Sequence, residues 1–141
     1  MNVVDTHCHL QRRYFDDIDA VIARAHAAGV SALVNIGSAG DVQVAADAVA
    51  LAEAHPSVWA TVGFHPHEAA SVGDGDLAAI EALARHPRAV AVGEIGLDYH
   101  YDRSPRDVQR NVFAAFIDVA RRVGKPIVVH NLSLIHISEP T

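Results

Sequence analysis

The chain has 141 residues, half of them apolar and a fifth charged, with a net charge of −6 when histidine is neutral. That is the composition of one soluble globular domain with a core of its own. A single cysteine excludes an internal disulfide, no apolar run approaches the roughly 20 residues of a membrane helix, and the acidic balance excludes a broad electrostatic grip on nucleic acid. An acidic chain still accommodates a nucleic-acid substrate held by metal and a few local cations. With no basic region followed by a long apolar run at the N-terminus, a reducing, cytoplasmic setting is expected, with no membrane and no obligate protein partner.

Strand and helix alternate along the chain. Strand one is expected over Asn2–Thr6. A helix follows over Phe15–Ala28, with Ile18, Val21, Ile22 and Ala25 at helical spacing and Gly29 as its stop. The acidic Asp16, Asp17 and Asp19 suit the positive end of that helix and need no calcium. The apolar run Val30–Ile36 reads as a strand, Ala39–Ala54 as a helix ended by His55-Pro56, and Val58–Gly63 as a third strand. Asp76–Arg85 is a helix closed by His86-Pro87, and Ala89–Ile95 a strand. Ser104-Pro105, an N-cap followed by a first-turn proline, opens a helix running to about Val123, with Gly124 as its end. Ile127–His130 is the fifth strand.

Such alternation builds a parallel sheet covered by helices. The strands Val30–Ile36, Ala89–Ile95 and Ile127–His130 are almost wholly apolar, as expected of strands buried on both faces. No glycine-rich phosphate loop follows strand one, which disfavours a nucleotide-binding doubly wound sheet. Polar residues recur where strands finish: His7 and His9, Asn35, His65 and His67, Glu94 and Asp98, and His130. Side chains converging from the carboxyl ends of successive strands favour a (β/α)8 barrel, here incomplete, with about five parallel strands and four helices.

The strand ends carry the chemistry. In an extended chain Asp5, His7 and His9 share one face, and Thr6 and Cys8 the other. Two imidazoles side by side make half of a metal site, whereas Cys8 points away and reads as a small apolar residue. Glu94 is a lone carboxylate in an apolar strand, costly unless it meets a cation or a metal, and the strand interiors offer no Arg or Lys. Gly93 and Gly96 clear space beside it, and a carboxylate is able to bridge two cations. His130 ends strand five as a further candidate ligand. His65 is assigned to the substrate in preference to the metal; His67 is left between ligand, substrate contact and solvated loop. His26, His55 and His86 fall in or after helices and are expected at the surface.

Mixed imidazole and carboxylate donors suit Zn²⁺, Mn²⁺ or Mg²⁺, and such a site activates water for hydrolysis of an ester, phosphoester or amide. The rim loops Gln11–Phe15 and Tyr99–Arg103, with Arg106 beyond, mix cations with aromatics in a way suited to phosphates and unpaired bases. Asp98 and Tyr99 are accordingly placed with His65 and His67 as substrate contacts.

Asp5-Thr6-His7-Cys8-His9-Leu10, Gly63-Phe64-His65-Pro66-His67, Gly93-Glu94-Ile95-Gly96-Leu97-Asp98-Tyr99 and Lys125-Pro126-Ile127-Val128-Val129-His130 together resemble, in order and spacing, the motifs of the TatD family of metal-dependent deoxyribonucleases. Gln109 and Phe113 sit where that family usually has a glutamine and an aromatic. The resemblance covers about residues 1–131. It implies a (β/α)8 barrel with two divalent ions: His7 and His9 on one, Glu94 bridging and catalytic, and His130 on the second. It also places His65 near the substrate phosphate. The implied reaction is cleavage of DNA phosphodiesters, acting on single strands or 3′ ends, with 3′-to-5′ exonuclease action.

The family also uses a histidine after a sixth strand and an aspartate at the end of an eighth. The chain holds neither, so it is expected to be an N-terminal portion and inactive by itself. Residues 132–141, Leu132 to Thr141, depart from the family and resemble the translation of a sequencing adapter. Two other readings share the metal donors. A cyclic amidohydrolase would break C–N bonds, often with a metal-bridging lysine at a strand end, but Lys125 precedes strand five. The third reading is a half-barrel that binds metal or a partner without catalysis.

Overall fold

A computed structural model describes residues 3–132. Five strands and four helices alternate: β1 (Val3–Cys8), α1 (Ile18–Ala27), β2 (Val30–Gly37), α2 (Val42–Ala54), β3 (Val58–Val62), α3 (Asp74–Ala84), β4 (Ala89–Leu97), α4 (Arg106–Val123) and β5 (Ile127–Asn131). A short 3-10 turn, Pro66–Ser71, follows β3 and had no counterpart in the sequence reading. The suspected foreign tail, including His136, lies outside the described residues apart from Leu132. Among the described residues no helix is long and apolar enough to cross a membrane.

All four strand pairs are parallel, and the order in the sheet is the order in the chain, β1-β2-β3-β4-β5. Right-handed crossovers that always step the same way keep the helices on one face and curl the sheet. A doubly wound sheet would reverse direction after its first strand. Sequential order therefore gives an α/β half-barrel. The apolar contact between helices and sheet is led by Ile36, Val58, Val62, Ile80, Val92, Ile95, Phe116 and Val119, all fully buried. Each such side chain contributes roughly 1.5–3 kcal/mol of transfer free energy. Phe64, at the end of β3, stacks on Phe116 with ring centroids 6.0 Å apart, tying a site-bearing loop to this core.

The caps follow the sequence in part. Asp17 caps α1, its Oδ1 accepting the Ala20 amide at 2.9 Å. Gly124 ends α4 in the left-handed conformation. Ser104, expected as the cap of α4, has another task. It is buried, its hydroxyl donates to the His67 carbonyl at 2.8 Å and accepts the Ala70 amide at 3.1 Å, and α4 begins after Pro105 with no side-chain cap. The hydroxyl thus pins the loop after β3 to the loop after β4. The expectation that β5 is buried on both faces is also corrected. Val129 and Ile127 are exposed, because β5 is an outer strand of the sheet among the described residues and meets no helix of its own there.

The two ends of the sheet differ in chemistry. At the amino ends of the strands, Arg88 donates to the carbonyls of Ala52, His55, Pro56 and Val58 while stacking on Trp59 at 3.9 Å. Lys125 Nζ donates to the carbonyls of His86 and Ala89. These cations add a second hydrogen bond to the His55 and His86 carbonyls, which already accept the Val58 and Ala89 amides, and so brace the turns.

The outer strands are apolar and open, with Val4 52% and Val129 48% exposed. Unpaired strand edges of this kind template association. The 141-residue chain is expected to self-associate at micromolar concentration in sedimentation velocity, and Val129→Lys to reduce that association; a single monomeric boundary for the unsubstituted chain would contradict this.

Candidate metal centre at the strand termini

His7 ends β1 and His9 follows it, with ring centroids 5.3 Å apart. Cys8, between them, points the other way and donates its thiol hydrogen to the Val34 carbonyl at 3.3 Å. Burial, assisted by the nearby Asp5 carboxylate, pushes its pKa up to about 12. It is therefore a thiol, not a thiolate ligand. Asn35, one of the polar residues expected to converge at the strand ends, is wholly buried and accepts the Leu10 amide at 2.8 Å. It fixes the turn of the chain directly after His9.

Glu94 projects from β4, where neighbouring strands come unusually close. Gly93 and Gly96 have φ of +150° and +147°; a Cβ on Gly93 would lie 2.5 Å from the Val128 carbonyl oxygen, and one on Gly96 would collide with that of His130. Only glycine takes this backbone without strain. The Glu94 side chain is 12% exposed, and among the described residues no arginine or lysine pairs with it. Its two oxygens face two different imidazole groups: Oε2 lies 3.6 Å from His7 Nε2, and Oε1 2.9 Å from His130 Nδ1. Burial pushes its pKa up, but the His130 hydrogen bond and the neighbouring imidazoles outweigh burial and hold it below the usual value.

His65 and His67 flank Pro66 after β3, and His130 lies beside Gly96 in the β4–β5 register. His65 Nε2 is 3.1 Å from His130 Nδ1. Potential ligand atoms of His7, His9 and Glu94 lie within 4.8 Å of one another, as do those of His65, Glu94 and His130.

Hydrogen bonding separates ligand from donor in the second group. His65 Nδ1 accepts the His67 amide at 3.2 Å and so carries no proton. Burial, reinforced by His130 and His67, pushes its pKa down to about 4. A neutral His65 therefore keeps its proton on Nε2, the atom turned into the cluster, and Nε2 there is a donor, not a lone pair. His130 has the opposite arrangement. Its Nε2 faces the Asp98 carboxylate at 3.2 Å, which places a proton there and leaves Nδ1 for a cation. Without a cation, His130 Nδ1 would have to accept from His65 and donate to Glu94 at once. A cation between Nδ1 and Glu94 Oε1 removes that conflict.

Asp98 stands differently from its expected place against a substrate. Its side chain is fully buried beneath the imidazoles, because Oδ2 holds His67 Nε2 at 2.6 Å as well as His130, and Oδ1 accepts the amides of His100 and Tyr101. Burial alone would raise its pKa; the Tyr101 amide and the two imidazoles outweigh burial and hold it near 2. Buried Gln109 clamps the same loop, accepting the Asp98 amide at 2.8 Å and donating to the carbonyls of Asp98 and Ser104. Neither the anchoring of His130 by Asp98 nor the clamp by Gln109 was legible from residue type. The signals were a carboxylate at the end of an apolar strand and a glutamine at a position the family resemblance marks.

The donors fit a divalent metal. His9 Nδ1 is buried without a hydrogen-bond partner, an orphan that a metal or an ordered water would satisfy. Burial, then repulsion from His7, lowers the His9 pKa and so favours the neutral imidazole that a metal ligand requires. Lys125, at the far end of the sheet, cannot bridge ions among these donors, which counts against the cyclic-amidohydrolase reading. A cavity of about 620 Å³ between the loop before α1 and α2 includes none of the clustered histidines or Glu94 in its lining.

A singly wound parallel half-barrel with nitrogen and oxygen donors gathered at the carboxyl ends of β1, β4 and β5 defines a barrel-type α/β protein with a candidate metal centre. More narrowly, the chain belongs to the TatD related DNase family, whose model matches residues 4–136. It is 41% identical over 128 residues to the "Uncharacterized metal-dependent hydrolase YabD" of Bacillus subtilis, covering 90% of this chain and 49% of that protein. It is 37% identical over 119 residues to the "3'-5' ssDNA/RNA exonuclease TatD" of Musicola paradisiaca, covering 84% and 44%. Its fold superposes on the crystal structure of YJJV, a TatD homolog from Escherichia coli, with a TM-score of 0.83 and 31% identity over 93% of this chain and 51% of that one. The chain spans about half the length of the curated relatives it matches.

The thiol geometry has a direct check. Cys8 is expected to react with iodoacetamide at pH 8 at well under a tenth of the rate of an unfolded-chain cysteine, about the deficit its thiolate fraction implies, and denaturant is expected to restore that rate. Rapid labelling of the folded chain, followed by mass spectrometry, would show the thiol to be unprotected.

Proposed function

We propose that this chain supplies metal-binding and substrate-orienting residues of a metal-dependent hydrolase that cleaves phosphodiester bonds of single-stranded nucleic acid. The observation that carries the reading is Glu94, whose two oxygens address separate imidazole groups and, among the described residues, pair with no arginine or lysine. In the proposed arrangement His7 and His9 hold one ion, His130 Nδ1 holds a second, and Glu94 spans both. Bound divalent ions of the Mg²⁺, Mn²⁺ or Zn²⁺ type would supply Lewis acidity toward the phosphate and a lowered pKa for water.

The remaining roles belong to the protein's own hydrogens. His65 presents Nε2–H toward the space beside Glu94 and His130, where it would donate to a phosphoryl oxygen. Asp98 keeps the His130 proton on Nε2, away from the ion, and holds His67 by the same oxygen. Metal-bound imidazoles commonly give their outer N–H to a carboxylate in this way. His67 closes the rim between His65 and the loop after β4. The substrate class is supported by the relatives named as single-stranded DNA and RNA exonucleases and by the arginine and tyrosine side chains on the rim.

Isothermal titration with Mn²⁺ tests the reading. The 141-residue chain is expected to bind Mn²⁺, and Glu94→Gln to lose at least about ten-fold in affinity, since the shared charged donor is removed. Failure of the chain to take up any divalent ion would sink the proposal.

Asp98→Asn provides a second comparison. Loss of an outer carboxylate of this kind costs about 10- to 100-fold in metal affinity, and the loss is expected only for the more weakly held of two Mn²⁺ equivalents. Equal weakening of both, with an unchanged melting temperature, would contradict the assignment of Asp98 to the His130 side of the site and not to the His7–His9 side.

A further inference from the structure

We propose that Tyr101 and Arg103 form a rigid platform that stacks an unpaired base beside the metal donors, and that this pair, not Tyr99, selects single strands. The inference rests on the nucleic-acid reading above and deepens it.

The two tyrosines of this loop are engaged differently. The Tyr99 ring is half-buried, the Arg106 guanidinium lies 4.7 Å from its centroid, and Arg110 reaches its hydroxyl at 3.3 Å. Its surface is taken up by the protein. Tyr101 is 58% exposed. Its ring meets the His67 ring edge-on at 5.7 Å and the His100 ring at 4.8 Å, with Arg103 5.7 Å from its centroid. An aromatic so exposed costs apolar hydration unless something covers it. Here it touches an imidazole that shares the Asp98 carboxylate with His130.

The platform is also built to stay in place. The Tyr101 amide donates to Asp98 Oδ1 at 2.9 Å. The next residue, Asp102, has φ of +52° and is the sole non-glycine with positive φ among the described residues. Such a conformation persists only where its surroundings enforce it, and it concentrates at functional sites. Arg106 enforces it here by binding both Asp102 oxygens, at 3.1 and 3.0 Å. The loop after β1, the other metal-bearing strand, carries a similar pair: Tyr14, 56% exposed, with Arg13 4.8 Å from its ring. In a chain of net charge −6, arginine–tyrosine pairs beside both sets of donors are suited to a ligand that is anionic and flat-faced together. A nucleic-acid strand has that chemistry, and its base faces are open only when it is single-stranded.

Fluorescence anisotropy distinguishes stacking from general support. The probes are a fluorescein-labelled phosphorothioate oligothymidylate and an abasic strand of equal length with the same linkages, each titrated with the 141-residue chain in Mn²⁺. Tyr101→Ala is expected to weaken oligothymidylate binding about 5- to 100-fold, the range one stacked base supplies, and to leave abasic binding within about two-fold. Tyr101→Trp is expected to restore the difference between the probes, and Arg103→Ala to reduce oligothymidylate binding. Equal loss on both probes would make Tyr101 a structural residue and overturn the inference, as would no loss on either. If the unsubstituted chain binds neither strand while still binding Mn²⁺, the nucleic-acid reading itself falls, and the metal centre stands without it.

Discussion

The site depends on one constraint: a carboxylate buried in a sheet with no cationic side chain to meet it. Leaving such a charge uncompensated costs roughly 3–5 kcal/mol, a large part of the stability of a domain this size. Glu94 is met only by imidazoles, and imidazoles are positive only when protonated. Either protons or metal ions must neutralise it. His65 cannot carry an extra proton near neutral pH, because burial and its neighbours push its pKa down to about 4. His130 can, since its hydrogen bond to Glu94 raises its pKa. A proton on His130 Nδ1 and an entering cation therefore compete for the same lone pair. Metal affinity and acidity oppose each other at this atom.

The fold was largely legible because it is written in repeated, local signals. Helical spacing in Ile18, Val21, Ile22 and Ala25 and the apolar runs of β2 and β4 located the elements to within a few residues. The singly wound order was the harder inference, and it came from where polar side chains fall: a sheet that gathers strand ends from β1 through β5 has to curl. Less legible were features set by long-range contact. Ser104 has the residue type and position of a helix cap, yet its hydroxyl is claimed by His67 and Ala70 across the neighbouring loop. β5 has the composition of a buried strand, but composition does not show which neighbours a strand finds.

The site divides in the same way. His7, His9, Glu94 and His130 announce themselves by type and by position at strand ends, and the chain brings them together. Which face of each ring points where is a question of tautomer, settled by the His67 amide on His65 and by Asp98 on His130. No pattern of residues shows that. Nor does sequence tell an aromatic covered by its own arginines, Tyr99, from one held open two residues later, Tyr101.

Arg88 and Lys125 knot the foot of the sheet by gripping carbonyls from five separate turn and strand positions and one helix end. That masonry is laid at the opposite pole from the histidines. Anchorage and reactivity are thereby uncoupled in space, so a change in the loops around the histidines leaves the plinth beneath them untouched.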